Sequence, residues 1–106
     1  MEKQSTMNNR EYFVLCVSEV EHITELDIKD ILSSNREECA DARYILVYFL
    51  CLRLTDSEIS QVSGMSRQRV NYLRLHFNSN FAKWSVKSKV QTIRKHIEEK
   101  MQTSSL

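Results

Sequence analysis

The sequence predicts an all-α protein, a bundle of about five to six helices that contains a helix-turn-helix. The 106 residues include no proline and one glycine, so few positions interrupt a helix. Apolar residues recur at the three- and four-residue spacing of amphipathic helices. Forty-two per cent of the residues are hydrophobic, which is enough for one core. We therefore expect a single domain over residues 1–106, with residues 102–106 frayed.

The first half of the chain predicts three helices. One should cover about residues 9–21, capped by Asn8 or Asn9, and a short second helix should end at Ser33. The longest helix should then span about residues 37–53, and its apolar residues nearly encircle it, which predicts a central position. The residues expected to face inward include Phe13, Cys16, Val17, Val20, Cys39, Ala42, Ile45, Leu46, Phe49 and Leu50.

The stretch from Thr55 to Phe77 predicts the helix-turn-helix. Thr55 and Glu58 have the spacing of a capping box, which starts a short helix. Gly64 can adopt the positive φ of a sharp turn, and Ser66 can cap the second helix. An ordinary helical hairpin within a bundle is the alternative. The residues expected to bury this unit are Ile59, Val62, Met65, Val70, Leu73 and Phe77.

The C-terminal part of the chain predicts a loop and a last helix. The polar run Asn78–Ser79–Asn80 should form the loop, and the helix should begin near Ser85. Trp84 is expected to cover the core; a base-stacking platform is the alternative. The inward side of the last helix should carry Val86, Val90, Ile93, Ile97 and Met101.

Several classes of protein are disfavoured. No apolar run approaches the roughly 20 residues of a transmembrane helix, and the N-terminus lacks a signal-peptide core, so a cytoplasmic protein is expected. Cys16, Cys39 and Cys51 lack metal-ligand spacing and are interpreted as small buried hydrophobes. The three histidines are far apart and are expected at the surface or its boundary. We expect no catalytic residue, no metal and no cofactor.

Charge is distributed unevenly along the chain. Residues 1–62 hold six Lys or Arg and twelve Asp or Glu, a net charge of −6. Residues 63–106 hold nine basic residues and two acidic ones, a net charge of +7. The basic part begins at the second helix of the predicted motif, as expected for a small nucleic-acid binder.

The candidate DNA contacts fall into two groups. Side chains on the outer face of the second motif helix can bond base edges in the major groove: Ser66, Arg67, Gln68, Asn71 and Tyr72. A solvated helix face is the alternative interpretation of these residues. Basic residues nearby can contact phosphates: Arg69, Arg74, Lys83, Lys87 and Lys89.

The segment from Val20 to Phe77 resembles the C-terminal DNA-binding domain of the bacterial replication initiator DnaA, of the Trp-repressor-like group. Leu26-x-Ile28-x-Asp30-Ile31-Leu32-Ser33 is similar to the stretch before that family's basic loop. The matches along the long helix and the recognition helix are Glu38, Ala42-Arg43, Ile45, Tyr48, Val70 and Phe77.

The resemblance implies a fold of packed helices in which Arg36 reaches the minor groove and Arg43 contacts a phosphate. It also implies that the helix from Ser66 reads the major groove. Arg67, Gln68 and Arg69 stand where the family's base-reading His and Thr residues are found, so the initiator's own site is not the expected target. The chain has no phosphate-binding G-x-x-x-x-G-K-[ST] loop and no ATPase activity is expected.

The sequence therefore predicts sequence-specific binding of double-stranded DNA by a small regulator or a replication or mobile-element protein. The alternative is a protein–protein adaptor that keeps the helical fold without contacting DNA, which Glu37 and Glu38 beside Arg36 favour. A monomer is expected. A homodimer through the N-terminal helix is the alternative, because Tyr12, Phe13, Leu15 and Val17 together offer more apolar surface than one core face needs.

Overall fold

The computed structural model describes residues 7–104, with side chains through Met101. This range contains six α-helices and no β-strand, which confirms the predicted all-α class. The helices are α1 (Asn9–Thr24), α2 (Ile28–Ser33), α3 (Glu37–Cys51), α4 (Asp56–Ser63), α5 (Arg67–Phe81) and α6 (Trp84–Ser104). Residues 102–104 continue α6, whereas residues 105 and 106 of the predicted frayed tail lie outside the described residues.

Side-chain caps fix where the early helices begin. Asn8 Oδ1 accepts from the Glu11 amide at 2.8 Å, and the Glu11 carboxylate accepts from the Asn8 amide at 2.9 Å. This reciprocal pair satisfies two amides that the first turn of α1 leaves without helical partners. Asp27 caps α2, which ends at Ser33 as predicted. The predicted cap at Asn8 is confirmed.

Helix α3 is the centre of the molecule, as its apolar pattern predicts. It packs against each of the other five helices. Leu46 and Phe49 are fully buried, and Tyr12 of α1 donates a 2.6 Å hydrogen bond to the Phe49 carbonyl. All six helices contribute side chains to one hydrophobic core. Because α3 contacts each of the other five helices, it positions all of them around this core.

Two predictions about the helices are wrong: which helix is the longest, and where α5 ends. The longest helix is α6 with 21 residues, not α3 with 15. The predicted loop at residues 78–80 is helical, and α5 continues to Phe81. Tertiary contacts outweigh the local preference of Asn and Ser for turns. Asn80 donates to Asp41 Oδ1 at 2.5 Å, and the rings of Phe77 and Phe81 pack edge-on against Tyr48 at 5.2 and 5.0 Å.

The expectation that Trp84 covers the core is also wrong, because its side chain is 78% exposed. The inward stripe of α6 begins at Val86, and two residues along an α-helix turn a side chain to nearly the opposite side. Trp84 therefore lies on the solvent side of the first turn of α6.

The N-terminal helix does not carry the apolar surplus that suggested a dimer. Tyr12 and Leu15 are buried, and Phe13 and Val17 pack against the core. Val14 is the exposed large apolar residue of α1. The oligomeric state remains a prediction, but these four residues do not argue for a dimer.

The cysteines lie in the core or at its edge, as predicted. Cys16 and Cys39 are buried, and Cys51 is partly buried. Burial raises the pKa of the Cys16 thiol to about 12 and that of Cys51 to about 11. Such thiols stay protonated at neutral pH and are poor nucleophiles. No helix in the described range is long and apolar enough to cross a membrane.

Candidate nucleic-acid interface

The turn between α4 and α5 has the local geometry that the sequence predicts. Thr55 Oγ1 accepts from the Glu58 amide at 3.2 Å, and the Glu58 carboxylate accepts from the Thr55 amide at 2.9 Å. Gly64 ends α4 with a φ of 82°. Ser66 Oγ then accepts from the Arg69 amide at 3.1 Å and starts α5.

Buried side chains hold α5 in place on α4 and α3. Ile59 and Val70 are fully buried, and Met65 fills the space at the turn. The Ser60 hydroxyl donates to the Met65 carbonyl at 2.6 Å, which ties the turn back to α4. Because the inner face is fixed in this way, the opposite face of α5 is presented to solvent.

The start of α5 forms an exposed polar and basic surface. Ser66, Arg67, Gln68 and Arg69 are all exposed. No hydrogen bond or ion pair within residues 7–101 engages the side chains of Arg67, Gln68 or Arg69. The hydroxyl of Ser66 is already used as the helix cap, which leaves it less able to contact a base.

Tyr72 lies on the same exposed side but is held by neighbours. Its ring stacks on the His76 ring, with centroids 4.1 Å apart and planes inclined by 20°. Its hydroxyl also lies near Tyr44, whose pKa is raised by burial and by Tyr72. The ring is therefore fixed in orientation, and its phenol is only partly available as a hydrogen-bond donor.

Asn71 and Arg74 are bound within the protein. Arg74 Nε and Nη2 lie 2.9 and 3.1 Å from the two carboxylate oxygens of Asp56, and the Asn71 amide donates to Asp56 at 3.3 Å. The hydrogen bonds from Arg74 lower the pKa of Asp56, so this pair stays ionised at neutral pH. Both predicted DNA contacts would have to leave Asp56 first. Residue spacing alone does not predict this pairing across the turn.

Arg43 is held inside the protein by hydrogen bonds, and the phosphate contact implied by the resemblance stays a prediction. The residue is 8% exposed. Its Nε donates to the Ile31 carbonyl at 2.7 Å, and its Nη2 donates to the Ser34 carbonyl at 2.6 Å. The guanidinium thus satisfies carbonyls at the end of α2.

The three lysine candidates differ in their exposure and in their ion pairs. Lys83 Nζ lies 2.7 Å from a carboxylate oxygen of Glu37 and 2.9 Å from one of Asp41, so it forms two ion pairs. Lys89 is partly buried and lines a small cavity with Glu38 and Asp41. Lys87 is exposed and makes no ion pair with any described residue.

Arg36 is exposed in the turn before α3. Its Nη2 lies 3.5 Å from the Cys39 sulfur, a contact that leaves most of the guanidinium in solvent. Glu37 and Glu38 follow it and are also exposed. The local potential near Arg36 is therefore mixed, unlike that at the start of α5.

Sequence reasoning missed two features. Leu75 is 60% exposed on the outer face of α5, and only its spacing from Gln68 could have pointed to it. The second feature is a polar cluster between α1 and α6 around the buried Glu19, next to His96 and Lys100. No group of three or more His, Cys, Asp or Glu within the described part of the chain is arranged to hold a metal ion.

Comparison with family models, with curated proteins and with solved structures finds no match to this chain. The resemblance to the DnaA domain therefore stays a prediction that rests on the residues quoted for it.

Proposed function

We propose that the protein binds double-stranded DNA in a sequence-specific manner, with α4 and α5 acting as a helix-turn-helix. The observation that supports this most is the contrast on α5 between a buried inner face and an exposed start. The side chains of Arg67, Gln68 and Arg69 make no hydrogen bond or ion pair with the described residues, although Arg67 lies close enough to Asp56 to help lower the pKa of that carboxyl group. Arg and Gln side chains can each form two parallel hydrogen bonds to a base edge in the major groove.

The pattern of paired charges narrows the proposed interface. Arg43, Arg74 and Lys83 are engaged inside the protein, so they contribute less than the sequence suggests. The direct base contacts are assigned to Arg67 and Gln68, and the phosphate contacts to Arg69 and Lys87. Arg36 is a further candidate for the minor groove.

Selection from a random duplex pool, followed by titration of the selected duplex, tests the proposal. Arg67→Ala and Gln68→Ala should each lose about 1–3 kcal/mol on the selected sequence and much less on a scrambled one. Lys95→Ala is the matched control, because Lys95 is exposed on the outer side of α6. The substitution removes one positive charge and leaves α5 unchanged. Absence of duplex binding by the wild-type protein near 50 mM salt would refute the proposal.

A protein–protein adaptor is the second candidate. The exposed Trp84 favours it, since tryptophan is enriched at the energetic centres of protein interfaces. The internal pairing of four predicted DNA contacts, Arg43, Asn71, Arg74 and Lys83, points the same way. Trp84→Ala separates the two functions, because it should leave duplex affinity unchanged if DNA is the partner and α5 makes the contacts.

A further inference from the structure

We propose that Leu75, supported by Tyr72, recognises the 5-methyl group of a thymine in the major groove. This inference rests on the proposed DNA binding and extends it to a specific base. Leu75 belongs to neither the predicted base-reading set nor the phosphate-contact set. It is a large apolar side chain on a face of α5 that also carries Gln68, Asn71 and the exposed ring of Tyr72.

Leu75 lies on the side of α5 that faces away from the core. It follows Gln68 by seven residues, so the two side chains lie almost in line along the helix. The buried Val70 and Leu73 lie on the opposite side. Leu75 is therefore near the middle of the outer face and not at its edge.

The outer face of α5 has the residue spacing of a helix that contacts bases. Gln68, Asn71, Tyr72 and Leu75 stand at positions i, i+3, i+4 and i+7. A recognition helix that lies along the major groove contacts bases with this spacing. In that orientation a residue two turns beyond Gln68 can also reach a base edge.

The side chains of Leu75 and Tyr72 are suited to contact with an apolar group. Leu75 is 60% exposed and Tyr72 is 55% exposed, and their three-residue spacing makes them neighbours on the helix surface. The ring of Tyr72 is stacked on His76, which limits its motion. Among the groups that base pairs present in the major groove, the thymine 5-methyl is the apolar one. An apolar pair there matches a thymine and offers nothing to a cytosine amine.

The polar neighbours strengthen this assignment. Asn71 donates to Asp56, which leaves Gln68 as the amide in the row without an internal partner among the described residues. Recognition beyond Gln68 then depends on contact with an apolar group. The target should therefore carry a thymine on the side of the site that meets the third turn of α5.

Uracil-for-thymine exchange in the selected duplex tests the inference, because uracil keeps the hydrogen-bonding groups and lacks the methyl. Each thymine is replaced in turn, and dissociation constants are measured by fluorescence anisotropy. For the wild-type protein, one or two replacements should weaken binding about fourfold, the value of burying one methyl-sized group. Leu75→Ala should bind the thymine and uracil duplexes equally at one of those positions, whereas Leu75→Met should retain the preference.

Leu52→Ala is the control, since Leu52 is also 60% exposed but lies after the end of α3. It should keep the full thymine preference. Two outcomes overturn the inference while DNA binding stands: equal wild-type affinity for every thymine and uracil duplex, or an unchanged preference in Leu75→Ala. Failure of the wild-type protein to bind any duplex refutes the proposed function itself, so the two failures are distinguishable. Circular dichroism shows whether Leu75→Ala keeps its helices.

Discussion

The contact between α1 and α6 and the start of α5 use charge in opposite ways. At the first, the buried Glu19 carboxylate faces His96, whose Nδ1 is 3.0 Å away, and also accepts from Lys100. At the second, Arg67 and Arg69 stand exposed and make no ion pair with the described residues. One region balances its charges internally, and the other leaves them to solvent or to a partner.

The difference shows that the net charge of a segment does not indicate what the segment does. Helix α1 lies in the acidic part of the sequence, and α5 and α6 lie in the basic part. The fold determines which of these charged side chains pair with one another. A buried carboxylate without partners would be costly, so Glu19 ties α6 to α1. An exposed arginine has no such constraint, which suits it to an external ligand.

The largest effect should come from the core on which both regions rest. Phe49→Ala should reduce the free energy of unfolding by about 3–5 kcal/mol, because it removes a fully buried ring from the central helix. Urea or thermal denaturation measures this change. Leu52→Ala, at an exposed position just beyond the same helix, should change stability by less than about 0.5 kcal/mol. Similar values for the two variants would contradict the central role of α3.

Two arginines offer the sharpest form of the comparison. Arg43→Ala should cost about 1–3 kcal/mol of stability, since it leaves the carbonyls of Ile31 and Ser34 without their charged donor. Arg67→Ala should alter stability by less than about 0.5 kcal/mol. Denaturation of both variants in parallel checks the pair. A reversed order would mean that internal and external charges have been assigned the wrong way round.

The pH dependence of stability should report on Glu19. Burial raises the pKa of Glu19, but hydrogen bonds from Lys100 and His96 outweigh it, and the net shift is downward from the ordinary value of 4.5. A lowered folded-state pKa gives stability that is present above pH 4.5 and is lost as the pH falls through the folded value.

Glu19→Gln should therefore flatten the acid side of the curve of unfolding free energy against pH, although it also lowers stability at neutral pH. Denaturant unfolding between neutral and acidic pH measures the slope. The exposed Glu98→Gln should follow the wild-type curve. An acid slope in Glu19→Gln as steep as that of the wild type would contradict the role given to this carboxylate.

The smallest effect concerns two lysines near the start of α6. Lys87→Ala should weaken binding to all duplexes alike and reduce the log–log salt slope by about one, as one fewer counterion is released. Lys83→Ala should change the slope less, because Lys83 already neighbours Glu37 and Asp41. Titrations at several salt concentrations give both slopes. Equal losses of slope would show that internal pairing does not withhold Lys83 from DNA.

Local chemistry explains the part of the fold that was predictable. The caps at Asn8, Thr55 and Ser66 and the turn at Gly64 each depend on residues within a few positions of one another. The continuation of α5 through Asn80 depends on Asp41, which is 39 positions away. Sequence spacing alone does not reveal such a contact.

The candidate site divides along the same line. The exposure of Arg67 and Gln68 follows from helical periodicity and was predicted correctly. The pairing of Arg74 with Asp56 and of Arg43 with Ile31 and Ser34 depends on the packing of separate helices. The exposure of Trp84, by contrast, follows from local periodicity, because Trp84 lies two residues before the buried Val86 on the same helix.

If the protein binds DNA as proposed, the pairing of Arg74 with Asp56 affects how well it distinguishes one site among many. A binder with every cation free adheres to any stretch of duplex, and the abundance of irrelevant sequence then depletes it. A carboxylate that already occupies Arg74 makes each random encounter weaker, since a phosphate must displace it. A well-matched site can compensate through base contacts, so the ion pair would sharpen the choice between target and bulk genome.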